Sequence, residues 1–130
     1  MQNGLTTTGP HKDFEAIKHV DENGVEFWAG RELFPLLGYS RWEDFHKVIG
    51  RAMQGALTSG QKVENHFRHL TKMVKVGSGA KRAVADWKLD RYACYLIAQN
   101  GDPKISQIAL AQTYFAVQTR SQELFDQLPN

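Results

Sequence analysis

Two glycine-marked turns, each set between short apolar runs, constrain this chain more than any other feature in it. The first is Asp21-Glu22-Asn23-Gly24, flanked by Phe14 to Val20 and by Val25 to Ala29. Asn-Gly tolerates the positive φ that tight hairpin turns need, so this stretch predicts a β-hairpin. The second is Gly77-Ser78-Gly79. Lys72 to Val76 alternates at a period of two before it, and Ala83 to Trp87 comes after it. That predicts a second hairpin with a basic tip of Lys75, Lys81 and Arg82.

Between and after the hairpins the period lengthens. Arg31 to Leu37 reads as a short amphipathic helix, held to about two turns by Pro35 and ended by Gly38. Ser40-Arg41-Trp42-Glu43 has capping-box spacing and predicts a helix start. Trp42, Phe45, Val48/Ile49, Ala52/Met53 and Ala56 recur at three and four residues and form its buried stripe, with Lys47 and Arg51 on another face and Gly60 at its end. Asn65 to Leu70 reads as another helical turn or two. Asp90 is placed to cap a helix through Tyr92 to Ala98, apolar on all sides and therefore a core helix, ending near Asn100-Gly101. Asp102-Pro103 offers a cap and a first-turn proline for a last helix reaching about Phe125. Its apolar residues fall on two stripes. Ile105, Ile108 and Phe115 suit the core, while Leu110, Tyr114, Val117 and Leu124 need more of this domain, a second copy or a following domain to cover them.

The chain has 130 residues, enough for one domain, and 42% hydrophobic residues supply a core. Residues 1–12 read as a flexible tail and 13–130 as the domain. The longest uncharged run, Ile105 to Thr119, carries three glutamines and falls short of a membrane span. Cys94 is the sole cysteine, so no internal disulfide forms and a reducing cytoplasm is the expected setting.

Net charge is only +2, but its distribution is uneven. From His46 to Arg82 there are eight cations and one anion, Glu64, a local balance of +7. Such polarity is the electrostatic footprint of a nucleic-acid binder, although a solvated basic face is the plainer reading. Other constellations carry less. His66 and His69 would sit one turn apart on a helix, yet no carboxylate or cysteine cluster completes a metal set, so no metal is expected. Cys94, in an apolar run, reads as a buried thiol rather than a nucleophile. Gly77 to Arg82 lacks the glycine spacing and Gly-Lys-Ser/Thr of a nucleotide loop. Trp42, Phe67 and Trp87, interleaved with cations, would either stack on unpaired bases or lie in the core. No pair of carboxylates stands at catalytic spacing, so no catalytic residue and no cofactor are expected.

Several stretches, in order, resemble the DNA-damage-inducible protein D family, whose N-terminal domain belongs to the Bro-N group of phage antirepressors and baculovirus repeated-ORF proteins. They are Glu26-Phe-Trp-Ala-Gly-Arg-Glu-Leu, Leu37-Gly-Tyr-Ser-Arg-Trp-Glu-Asp-Phe, Ile49-Gly-Arg-Ala, Lys75-Val-Gly-Ser-Gly-Ala-Lys-Arg, Asp90-Arg-Tyr-Ala-Cys-Tyr-Leu-Ile-Ala-Gln-Asn-Gly-Asp and Ala111-Gln-Thr-Tyr-Phe-Ala-Val-Gln-Thr-Arg-Ser-Gln-Glu-Leu. At Gly30 that family more often has alanine. The resemblance implies an α+β, Bro-N-like domain with two hairpins, about four to five helices and a long C-terminal helix, in a bacterial or phage setting. It also implies no enzymatic activity, a role in DNA binding or the DNA-damage response, and for some members modulation of a recombinase filament. Its well-known members continue into a C-terminal region.

Two functions are therefore expected. One is a DNA-binding module that grips phosphates through Arg41, Lys47, Arg51, Arg68, Lys72, Lys75, Lys81 and Arg82, with DNA of either strandedness as partner. The other is a protein-interaction module acting on a repressor or recombinase filament, with a homodimer or partner interface at Leu110, Tyr114, Val117 and Leu124.

Overall fold

The computed structural model describes residues 9–126, and the side chains of residues 13–116. Helix α1 (Gly9–Ala16) leads into strands β1 (His19–Val20) and β2 (Glu26–Ala29), then helices α2 (Gly30–Leu36) and α3 (Trp42–Thr58). A 3-10 turn at Val63–Asn65 precedes the long strands β3 (Phe67–Lys75) and β4 (Lys81–Leu89), and helices α4 (Arg91–Gln99) and α5 (Ser106–Asp126) complete the chain. The strands form one antiparallel sheet in the order β1-β2-β4-β3. The architecture is α+β, with both hairpins present and the long helix last.

The core lies where the sheet's inner half meets the helices. Trp28 of β2 is fully buried, meets Phe115 edge-on at 5.2 Å and donates its indole N–H to the Phe14 carbonyl at 2.9 Å. Phe45, Val48, Ile49, Ala52 and Ala56 of α3 are buried as the period predicts, with Trp42 and Met53 at the margin. Ala93, Cys94, Ile97 and Ala98 of α4 complete the centre. Burying each large side chain contributes on the order of 2 kcal/mol. Asp90 caps α4, its carboxylate accepting from the Ala93 amide at 2.9 Å.

Local signals are overruled at four places. Phe14 to Ala16 is helical rather than part of a strand, and β1 keeps only His19 and Val20. Phe14 and Ile17 are three apart, which fits a helical turn as well as it fits a short apolar run. Packing decides: Phe14 is fully buried against Tyr114 and Phe115. The capping box does not form either. Arg41 occupies the cap position of α3 without a side-chain cap bond, and Glu43 pairs with Arg41 at 3.6 Å. The helix thus opens one residue later than the box predicts, at Trp42, which packs on Phe34 and Phe45.

Phe67 to Leu70 is strand, not helix, because the alternation of the second hairpin continues inward as far as the pairing of Phe67 with Leu89. At the other end, Asp102-Pro103 folds a turn instead of a helix start. The Asp102 carboxylate accepts from Lys104, its carbonyl accepts from Ile105, and α5 opens at Ser106. The tail expected over residues 1–12 falls on residues 1–8, outside the described residues, and on the first half of α1.

Candidate nucleic-acid interface

β3 and β4 pair along their whole length, from Phe67 with Leu89 to Lys75 with Lys81. Only the inner end is covered: Phe67, Trp87 and Leu89 are buried. Beyond them the ribbon stands out from the body. From Leu70 to Ala83 every residue is exposed except the half-buried Val74. Gly77-Ser78-Gly79 closes its tip, where Gly79 (φ 83°) donates to the Val76 carbonyl and Val76 donates to that of Ala80, both at 2.9 Å. We call the ribbon the arm.

Directly opposed residues of an antiparallel pair share a face. The register therefore sorts the arm's charges: Arg68, Lys72 and Arg82 lie on one face, Lys75 and Lys81 on the other. Lys75 faces Lys81 across the ladder, a juxtaposition of like charges that costs stability unless an anion lies between them. No Asp or Glu occurs between Glu64 and Asp86. Arg68 also borders a cavity of about 270 Å³ with Asn65, His66, Asp90 and the Asp21 turn.

The remaining expected cations stand elsewhere. Arg41 is exposed and paired with Glu43. Lys47 and Arg51 are exposed on α3, and Arg51 donates to the Asn100 carbonyl at 3.4 Å. His46, whose ring is 5.9 Å from that of Trp87, marks the side of α3 nearest the arm. Lys47 and Arg51 are turned roughly 100° and 140° round the helix from it. The structure thus brings Lys72, Lys75, Lys81 and Arg82 together and leaves Arg41, Lys47 and Arg51 apart.

The histidine pair loses its premise, since the segment is not helical. His66 holds Asp90 at 2.7 Å, while His69 sits edge-on to Trp87 at 4.9 Å. Among the described residues no group of three His, Cys, Asp or Glu is placed to hold a metal. Phe67 and Trp87 are core residues, 3% and 8% exposed, and Arg31 covers Trp42 at 3.9 Å, so these rings are not a stacking platform. Cys94 is buried, which pushes its thiol pKa well up and leaves it unreactive.

The expected partner stripe divides as well. Leu110 is 38% exposed, but Tyr114 is buried against Phe14, and its hydroxyl donates to Glu15 of α1. The side chains of Val117 and Leu124 lie outside the described residues. Around Tyr114, Arg91 pairs with Glu26 and lies over the Trp28 ring, and Lys18 bridges Glu15 and Glu26. Burial pushes the Glu15 carboxyl up, yet the Tyr114 hydroxyl and Lys18 more than offset it and leave it below the usual range. This network pins α1 over Tyr114, one residue of the stripe that periodicity alone leaves open. The short Phe14/Ile17 spacing is its one signal in the sequence.

Comparison with known proteins bears on the whole fold. The model for the BRO family, N-terminal domain, matches residues 16–116. The chain belongs to this family. This BRO N-terminal domain is also 52% identical over 116 residues to DNA damage-inducible protein D of Escherichia coli (strain K12). That alignment covers 89% of this chain and 42% of the relative. The domain thus spans less than half the length of the curated relative it matches. No solved structure matches it. No described helix is long and apolar enough to cross a membrane.

Proposed function

We propose that this chain is a non-enzymatic DNA-binding module of a DNA-damage-response or phage-regulatory protein, and that the arm grips DNA phosphates. Family membership and the name of the Escherichia coli relative support the regulatory setting. One observation carries the DNA reading: an exposed ribbon whose residues from Phe67 to Ala85 include five Lys or Arg and no acid. Lysines opposed across a ladder repel each other, and a row of phosphates relieves that repulsion.

Phosphate contacts release counterions, so affinity falls steeply with salt. Fluorescence anisotropy on labelled oligonucleotides over a salt series tests this, comparing the chain with its Lys81→Glu/Arg82→Glu variant. The variant is expected to bind every sequence more weakly, with a log-log salt slope on duplex shallower by about 2, since each lost contact removes roughly 0.9. A folded variant that binds as before shows that the arm is not the contact.

A further inference from the structure

Resting on the DNA-binding reading, we propose that the arm enters the major groove of duplex DNA tip first, with its two faces meeting the phosphates of opposite strands. The division of charge points there. Lys72 and Arg82 share one face, and Lys75 and Lys81 share the other. A ribbon that lay flat on a duplex would use cations on a single face. Here both faces carry them, and no acidic residue intervenes over the whole ribbon outward of Asp86.

Dimensions select the groove. A β-ribbon with its side chains is about 10 Å thick, the face-to-face spacing of packed sheets. The major groove of B-DNA is about 12 Å wide and about 8.5 Å deep, and the minor groove is about 6 Å wide. The major groove therefore admits the ribbon as it stands, while the minor groove would have to be forced open. At about 3.4 Å per residue, the groove's depth corresponds to two or three residues of strand. With Gly77-Ser78-Gly79 at the floor, Lys75, Lys81 and Arg82 stand near the level of the phosphates, and Lys72, three residues further out than Lys75, stands about 10 Å beyond it. The turn offers the base edges one serine hydroxyl and otherwise backbone, so this entry recognises groove shape and charge with little sequence preference. It also selects duplex over single strand, which has no groove to enter.

The experiment uses the 130-residue chain with two double variants, Lys72→Ala/Arg82→Ala for one face and Lys75→Ala/Lys81→Ala for the other. All four positions are exposed, so both variants are expected to fold. Lys75→Ala/Lys81→Ala is expected to make the duplex salt slope shallower by about 1.8, two contacts at roughly 0.9 each, and Lys72→Ala/Arg82→Ala by about 0.9, the one contact that Arg82 makes at phosphate level. Dimethyl sulfate footprinting of the bound duplex should show protection at guanine N7, on the major-groove edge, and the matching single strand should bind more weakly.

A slope change confined to one pair would show a ribbon lying flat, and protection at adenine N3 alone would place it in the minor groove. Single strand bound as tightly as duplex would remove the groove from the account. Each of these overturns tip-first entry while leaving DNA binding intact. Failure of the unaltered chain to bind any DNA at low salt overturns the DNA-binding reading itself.

Discussion

In the first hairpin, Asp21 and Val25 close a three-residue loop with Gly24 at φ 80°, and in the second, Val76 and Ala80 close the same loop with Gly79 at φ 83°. The backbone bonds correspond: Asp21 N–H to the Val25 carbonyl and Gly24 N–H to that of Asp21 in one, Val76 to Ala80 and Gly79 to Val76 in the other. The side chains around the two turns differ. The Asp21 carboxylate accepts from the Asn23 and Val25 amides and holds Lys88 at 3.0 Å, His19 reaches Glu32, and Glu26 pairs with Arg91. Lys88 above all, then the Val25 and Asn23 amides, hold the Asp21 carboxyl below its usual range. The second hairpin has none of these ties among its outer described residues, and it runs nine residues a side against two and four. One turn geometry serves both a staple and a projection, and the side chains decide which.

The largest test of that contrast is at Trp28. Trp28→Ala removes a fully buried indole from the staple and is expected to cost about 3–5 kcal/mol in urea unfolding, whereas Met73→Ala, 57% exposed on the arm, stays within about 0.5 kcal/mol. Comparable losses at both sites would mean that the arm belongs to the core.

A finer test places one substitution in both turns. Neither Gly24 nor Gly79 has a neighbour that an added Cβ would meet, so Gly→Ala probes the left-handed backbone alone. Gly24→Ala is expected to cost about 1–2 kcal/mol of global stability. Gly79→Ala carries the same local strain, but its effect should show as faster amide exchange near the tip, with little change in the urea midpoint, because an uncovered ribbon opens locally. Equal global losses would show that the arm unfolds only together with the body.

The smallest effect belongs to charge. Lys81→Glu turns the like pair with Lys75 into an opposite pair and is expected to raise stability by about 0.2–1 kcal/mol, even as it weakens DNA binding. A drop in thermal midpoint would show that the two ammonium groups do not repel each other in the folded chain.

Much of the fold is legible in the sequence because its signals are local. Alternation on both sides of Gly77-Ser78-Gly79 announces the arm, and Asp90 ahead of an apolar run announces α4. Strand parity even holds the division of the cations: Lys72 and Lys75 are three apart, which places them on opposite faces once the segment is known to be strand. Summing charge along the sequence hides that division and adds Lys47 and Arg51, which a helix carries away from the ribbon. Long-range partners are out of its reach. That Tyr114 is covered by α1 depends on a bond to Glu15 across 99 positions, and the few residues around Phe14 satisfy helix and strand periods equally.

Asp86 is the buried carboxylate among the described residues, 2% exposed. It accepts from the Arg31 amide at 2.9 Å, so β4 supplies the cap that Ala29 cannot give to α2, and Arg31 returns a bond from its guanidinium to the Ala85 carbonyl. Mechanically, this joint is the fulcrum of a lever. Some five residues, about 17 Å of strand, separate Asp86 from Lys81. A sideways pull on the tip therefore acts with that length of leverage on the first turn of α2, and through Arg31 on Trp42 at the start of α3. The same joint leaves little slack: a methyl group added at Gly30 would come within 3.2 Å of the Asp86 carboxylate and 3.4 Å of both tryptophans beside it.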